Sequence, residues 1–174
     1  METQVNTTPA VTPRSIGIKW GLIAALINVV FFLGLAVSGQ NAFDNVWGWV
    51  RLVISVAIIF LAHKNYKESG NGFMSYGQGV GIAFWIALIS LVINFVVTYV
   101  YVSFIDPGAM QLFYDTQAEQ MSEKGMQDEQ IEMAMNFTKM LFWPLYLFFG
   151  LLFGVLMGLI VSIFTQKKNP EPVF

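Results

Sequence analysis

Four long apolar stretches decide what this chain can fold into. They run from about Gly17 to Val37, Asn45 to Ala62, Val80 to Ile105 and Leu141 to Thr165, and the last two carry no charged residue. About 20 apolar residues in a helix cross the ~30 Å hydrocarbon core of a bilayer. Inside that core every backbone N–H and C=O must be paired within the protein, which leaves the α-helix as the natural form for stretches of this length. The expected fold is therefore all-α: a polytopic membrane protein with four transmembrane helices. At 1.5 Å per residue the third stretch is about 39 Å long, so it must tilt or project beyond the core. Composition agrees, with 56% hydrophobic and 11% charged residues, against about 25% charged in soluble domains.

The small net charge of −2 and the lack of a basic block argue against a nucleic-acid partner. The absence of cysteine rules out disulfides, thiolate metal sites and cysteine nucleophiles. Ala36-Val37-Ser38 resembles a signal cleavage site. The apolar run before it exceeds the about 7–15 residues of a signal-peptide core, so a retained anchor is expected.

The loops set an orientation. Arg14 and Lys19, Lys64 and Lys67, and Lys167 and Lys168 mark the N-terminal region, the second loop and the C-terminal region as cytoplasmic. Both termini are then inside, and the expected location is the inner membrane of a bacterium. Trp47, Trp49, Tyr99, Tyr101 and Trp143 fall near the outer boundary, and Trp20, Tyr66 and Tyr76 near the inner one. The domain reading is a disordered cytoplasmic tail over 1–14, one transmembrane domain over 15–168 and a cytoplasmic tail over 169–174.

Residues 106–140 are too long for a structureless connection. Asp106-Pro107 reads as a helix N-cap with proline in first position, and Gly125 as the residue that ends that helix. A second helix from about Asp128 to Phe142 would lead into the fourth span near Pro144. The expectation is an extracytoplasmic helical hairpin on the outer membrane surface. Asp115, Glu119 and Glu123 stack at i, i+4, i+8. Carboxylates on one exposed helix face rarely converge on an ion, and no calcium-loop pattern accompanies them. A run of methionines from Met110 to Met140 lacks a nearby histidine or cysteine, so amphipathic packing outweighs copper binding. No metal and no cofactor are expected.

Catalytic constellations are absent. His63 is the lone histidine, and its place beside Lys64 suggests an interfacial residue. Gly77-x-Gly79-x-Gly81 lacks the third glycine of a dinucleotide loop, and Gly72-Phe73-Met74-Ser75-Tyr76-Gly77 misses the nucleophile-elbow spacing by one residue. Ser75 reads instead as the cap of the incoming third helix. Arg51 is the one ionisable residue inside a span, about 9 Å below its outer end; this shallow depth favours snorkelling, or pairing with Asp44 or Asp106. Asn28 and Asn94 lie deeper and suit interhelical hydrogen bonds.

Glycine spacing carries the packing prediction. Gly150-x-x-x-Gly154-x-x-x-Gly158, Gly17-x-x-x-Gly21 and Gly77-x-x-x-Gly81 each match the small-xxx-small pattern that lets helices approach closely in lipid. Gly79 has no role in that pattern.

Gly72-Phe73-Met74-Ser75-Tyr76-Gly77-Gln78, Phe104-Ile105-Asp106-Pro107 and the run from Gln117 to Met135 carry a family resemblance. In this order they resemble the bacterial domain-of-unknown-function family 4199, over about Ser15 to Lys168. The resemblance implies four helices with a long polar segment before the last, and occurrence chiefly in Bacteroidota. It implies no activity and no catalytic residues. The functional expectation is a non-enzymatic inner-membrane protein acting through lipid, through other membrane proteins or through its own copies. The alternative is a small transporter or channel subunit with Arg51, Asn28 and Asn94 facing a polar path, with Asp106 a further polar candidate.

Overall fold

The computed structural model describes residues 11–170. Five α-helices follow one another: α1 Pro13–Val37, α2 Asn45–Ser69, α3 Tyr76–Val100, α4 Pro107–Glu123 and α5 Asp128–Thr165. Four of them, α1, α2, α3 and α5, are long and apolar enough to cross a membrane. The chain is a multi-pass membrane protein by that measure.

Local chemistry sets the helix ends. Thr12 and Ser15 form a capping box ahead of α1, with Pro13 in the first turn. The Asp44 carboxylate accepts from Val46 N at the start of α2. Ser75 and Gln78 cap α3 reciprocally, as the sequence suggests for Ser75. The Asp106 carboxylate accepts from Ala109 N and Pro107 opens α4, which ends before Gly125 at φ 81°. A left-handed residue there suits glycine, which has no Cβ to clash. Between α3 and α4 the chain makes one wide π turn, Tyr101–Ile105, closed by Asp106 N on Tyr101 O at 2.9 Å.

The helices extend beyond the expected spans, and one expected break is missing. α2 runs past Ala62 to Ser69, because Lys64–Glu68 and Asn65–Ser69 link successive turns and no helix breaker comes before Gly70. α3 starts at Tyr76, behind the Ser75 cap read from the sequence and ahead of the apolar span expected from Val80. The separate helix expected over 128–142 does not exist as such: α5 continues through Pro144 as one helix of 38 residues. A proline removes one helical N–H, and here the helix carries that loss without ending. Of the tail expected over 1–14, residues 1–10 lie outside the described residues, and Pro13 and Arg14 already belong to α1; of the tail over 169–174, residues 171–174 lie outside.

α3 is the central helix, flanked by α1 and α5, and α2 closes the bundle against α1 and α5. Glycines bring these helices together. A Cβ at Gly17 would collide with the Trp85 Cβ and lie 2.9 Å from the Ile82 carbonyl, and one at Gly21 would lie 2.8 Å from the Ile89 Cβ. These pairs advance together along the chain, so α1 and α3 run parallel. Gly150, Gly154 and Gly158 face Leu91, Ala87 and Ala83 in reverse order, so α5 runs antiparallel to α3. Between helices already surrounded by apolar solvent, such contact supplies dispersion energy that larger side chains would prevent.

The third predicted pair behaves differently. Gly77 has open space where a Cβ would stand, and at Gly81 the nearest atom is the Pro13 Cβ at 3.7 Å, an ordinary contact. The close approach near the start of α3 is made by Gly79, where a Cβ would lie 2.7 Å from Ser162 Oγ. Helix rotation explains this. Gly79 and Ala83 lie one turn apart on the face turned to α5, and Gly77 and Gly81 do not share it. Gly77→Ala should therefore raise stability by about 0.5–1 kcal/mol, since alanine is the better helix residue and meets nothing. Thermal unfolding in detergent measures it, and a drop would place a neighbour against Gly77.

Buried side chains gather in two clusters. One joins Ile58, Ile59, Ala62, Ile82, Ala83, Ile86, Val161 and Met74; the other joins Phe32, Leu35 and Ala42. Large apolar side chains such as Leu26, Val53, Phe153 and Phe164 stand exposed around the bundle. Such a surface suits a hydrocarbon solvent and would be a liability in water.

Candidate functional site

The most constrained polar group of the protein is His63, which is 0% exposed. It lies near the end of α2, where the chain faces both the start of α3 and the end of α5. Its Nε2 lies 2.9 Å from the Gly79 carbonyl and its Nδ1 lies 2.7 Å from Thr165 Oγ1. A carbonyl only accepts, so Nε2 carries a proton and donates to Gly79. On a neutral ring Nδ1 then accepts the Thr165 hydroxyl proton. On a charged ring Nδ1 donates, and the Thr165 hydroxyl turns to the Val161 carbonyl, already 2.9 Å away. Both protonation states are fully bonded.

The surroundings tighten this arrangement. Lys67, one turn beyond His63, donates from Nζ to the Thr165 carbonyl at 2.9 Å, one of the carbonyls left free by the end of α5. Met74 and Lys167 exchange two backbone hydrogen bonds of 2.8 Å, joining the segment before α3 to the segment after α5. Trp20 of α1 donates its indole N–H to Asn65 Oδ1 at 3.0 Å. Ser162, fully buried beside Gly79, has no hydrogen-bond partner for its hydroxyl. Gly79 explains the geometry: a side chain there would occupy the position of Ser162 and push α3 off α5, away from the imidazole.

Chemically this is a clamp. Both ring nitrogens are engaged, and no carboxylate bonds to the ring. Among the described residues no three of His, Cys, Asp or Glu gather as a metal site. At its end of α2, His63 is buried inside the protein and links three helices, with one ring nitrogen on the Gly79 carbonyl and the other on the Thr165 hydroxyl.

The predicted polar residues are not brought together. Asn28 Nδ2 donates to Ala24 O at 2.9 Å and Asn94 Nδ2 to Ser90 O at 2.7 Å, so each side chain folds onto its own helix rather than across to another. Ser55 and Ser90 do the same toward Arg51 O and Ile86 O. Arg51 pairs with neither Asp44 nor Asp106. Its guanidinium donates to the Ala42 carbonyl at 2.6 Å and lies 5.7 Å from the centre of the Phe31 ring. The α1–α2 loop thus supplies a backbone acceptor closer than either carboxylate. Asp106 caps α4 and lines a cavity of about 150 Å³ with Phe32, Tyr101 and Leu112.

At the same end, Phe43, Phe113, Phe142, Trp143 and Tyr146 pack edge to face and fasten the first half of α4 to α5. Lys139 lies 5.5 Å from the Tyr114 ring centre, and partial burial pushes the Tyr114 phenol above its ordinary pKa.

A family model described as "Protein of unknown function (DUF4199)" matches residues 19–167. The chain belongs to this family. The match takes in α1 from Lys19 onward, the other three candidate membrane-spanning helices of this DUF4199 protein, α4, and every residue of the His63 clamp. No curated protein and no solved structure matches the chain significantly.

Sequence reasoning missed Gly79, Ser162 and Thr165. Their signal was faint but present. Ser162 and Thr165 form a polar i, i+3 pair at the end of the fourth span, level with the one histidine of the second.

Proposed function

We propose that this DUF4199 protein is a non-enzymatic component of the bacterial inner membrane that acts through contacts with lipid and with other membrane proteins. The observation that carries this reading is that α1, α3 and α5 touch through glycine and that Arg51, Asn28 and Asn94 satisfy themselves on nearby backbone rather than on a shared path. A contact role needs a rigid body with an outward face, and the exposed apolar periphery with the projecting start of α5 supplies one. In this reading both termini are cytoplasmic, and α4 with the first turns of α5 forms an extracytoplasmic hairpin whose acidic face, Asp115, Glu119 and Glu123, meets solvent or a partner.

The chain contains no cysteine, so single cysteines report cleanly. In intact cells an impermeant maleimide should label Glu119→Cys, and should label Ser75→Cys and Gln166→Cys only after permeabilisation. The reverse pattern overturns the orientation. For function, a photo-crosslinker placed at Glu119 should give discrete protein adducts in intact cells. Ion or solute flux in proteoliposomes that disappears in Arg51→Gln would overturn the contact reading in favour of transport.

A further inference from the structure

We propose that the groove between α2 and α5 binds one anionic phospholipid, with an acyl chain along the groove and the phosphate at Lys64 and Lys67. The inference rests on the contact reading above and names one of its lipid partners. The groove is open, has a volume of about 610 Å³ and is lined by Val53, Val56, Ala57, Phe60, Leu61, Val161, Phe164 and Thr165. On α2 the lining positions recur at helical spacing from Val53 to Phe60 and Leu61, and the next position of the same stripe is Lys64. Lys67 stands one turn further, its Nζ on the carbonyl of the lining residue Thr165. Lys167 and Lys168 follow Thr165 at the end of the other wall in sequence, with the Lys167 amine turned to the Phe73 ring.

The groove therefore has the pattern of an amphiphile: apolar along its length and cationic at one end. Among the described residues Glu68 is the acidic group there, 3.7 Å from Lys64 in an exposed pair, and these residues leave the mouth with a net positive charge. Length decides between a lipid and a partner helix. Val53 to Lys64 covers a rise of about 16 Å, close to half of the ~30 Å hydrocarbon core. One acyl chain of one leaflet fits that length, whereas a transmembrane helix of a partner would need a face continuing through both leaflets.

The test uses the purified full-length protein in detergent and native mass spectrometry with equal dioleoyl-phosphatidylglycerol and dioleoyl-phosphatidylcholine. The wild type should retain the glycerol lipid preferentially. K64Q should lower that preference about fivefold, and K64Q/K67Q by about fivefold for each lysine, the size expected for a basic side chain near an anionic headgroup. K64Q leaves the Lys67–Thr165 contact intact and removes only the exposed Lys64–Glu68 pair, so a wild-type melting temperature alongside the lowered preference separates lipid binding from folding. A57W, which fills the groove and leaves both lysines in place, should also abolish the preference. Equal retention of the two lipids by the wild type overturns the proposal, and so does an A57W variant that keeps full preference. A wild-type dimer that A57W converts to monomer would place a second copy in the groove and overturn it too. Cross-links from Glu119 surviving any of these failures would leave the broader contact reading standing.

Discussion

Gly158→Leu should prevent the bundle from assembling, and its folded, monodisperse fraction in detergent should fall to a small part of the wild-type yield. A Cβ at Gly158 already collides with the Ala83 Cβ, and one at Gly154 lies 2.5 Å from the Ala87 Cβ. Carbon atoms in contact prefer about 3.5–4.0 Å. Neither alanine can rotate away, because a Cβ is fixed to its backbone, so α3 and α5 must separate by more than an ångström. Overpacking of this kind costs about 1–3 kcal/mol per site and more for a leucine. Separation would also strip the Gly79–Ser162 contact and pull Thr165 from His63, one turn further along the same seam. Gly150→Ala is the informative control. Its Cβ would meet only the Leu91 Cδ1 at 2.6 Å, the movable end of a side chain, so the loss should stay within about 1 kcal/mol. Equal tolerance of Gly158→Leu and Gly150→Ala would show that α3 and α5 do not approach as described.

The architecture was legible because the membrane makes few demands and makes them strictly. Four apolar runs gave four spanning helices, and Asp106-Pro107 and Gly125 marked both ends of α4. What spacing could not give was rotation. Gly77 and Gly81 have the same separation as Gly154 and Gly158, yet face no neighbouring helix closely, while Gly79 between them does. Periodicity says which residues share a face and leaves open which face meets a partner. Pro144 misled for a related reason: proline disfavours helix locally, but α5 has the rest of its 38 residues to hold the helix through one missing bond. The clamp around His63 was the largest omission. A single histidine beside a lysine at a span end has no partner visible in sequence, because Gly79 offers a backbone carbonyl, an acceptor every residue has.

That omission carries the second large expected effect. His63→Ala should lower the thermal stability of the detergent-solubilised protein by about 3 kcal/mol. Two contributions add: the cavity left by a fully buried ring, typically about 2–5 kcal/mol for large-to-alanine changes, and two interhelical hydrogen bonds of about 0.6–2 kcal/mol each. Partial relaxation keeps the sum toward the low end. The partners are not left stranded, since the Thr165 hydroxyl still has the Val161 carbonyl at 2.9 Å and the Gly79 carbonyl, inside α3, still faces its own helix. His63→Phe separates the contributions, because it refills most of the volume and restores neither bond; it should recover about half of the loss. The location of the damage matters as much as its size. A cysteine introduced at Ser162, buried and free of hydrogen bonds in the wild type, should become reactive to maleimide in the His63→Ala background and stay protected in His63→Phe. If alanine at position 63 left both stability and Ser162→Cys protection unchanged, the imidazole would be a passenger; the glycine seam would hold α3 to α5, and Ile58, Ile59 and Ala62 would hold α2 to both at this end.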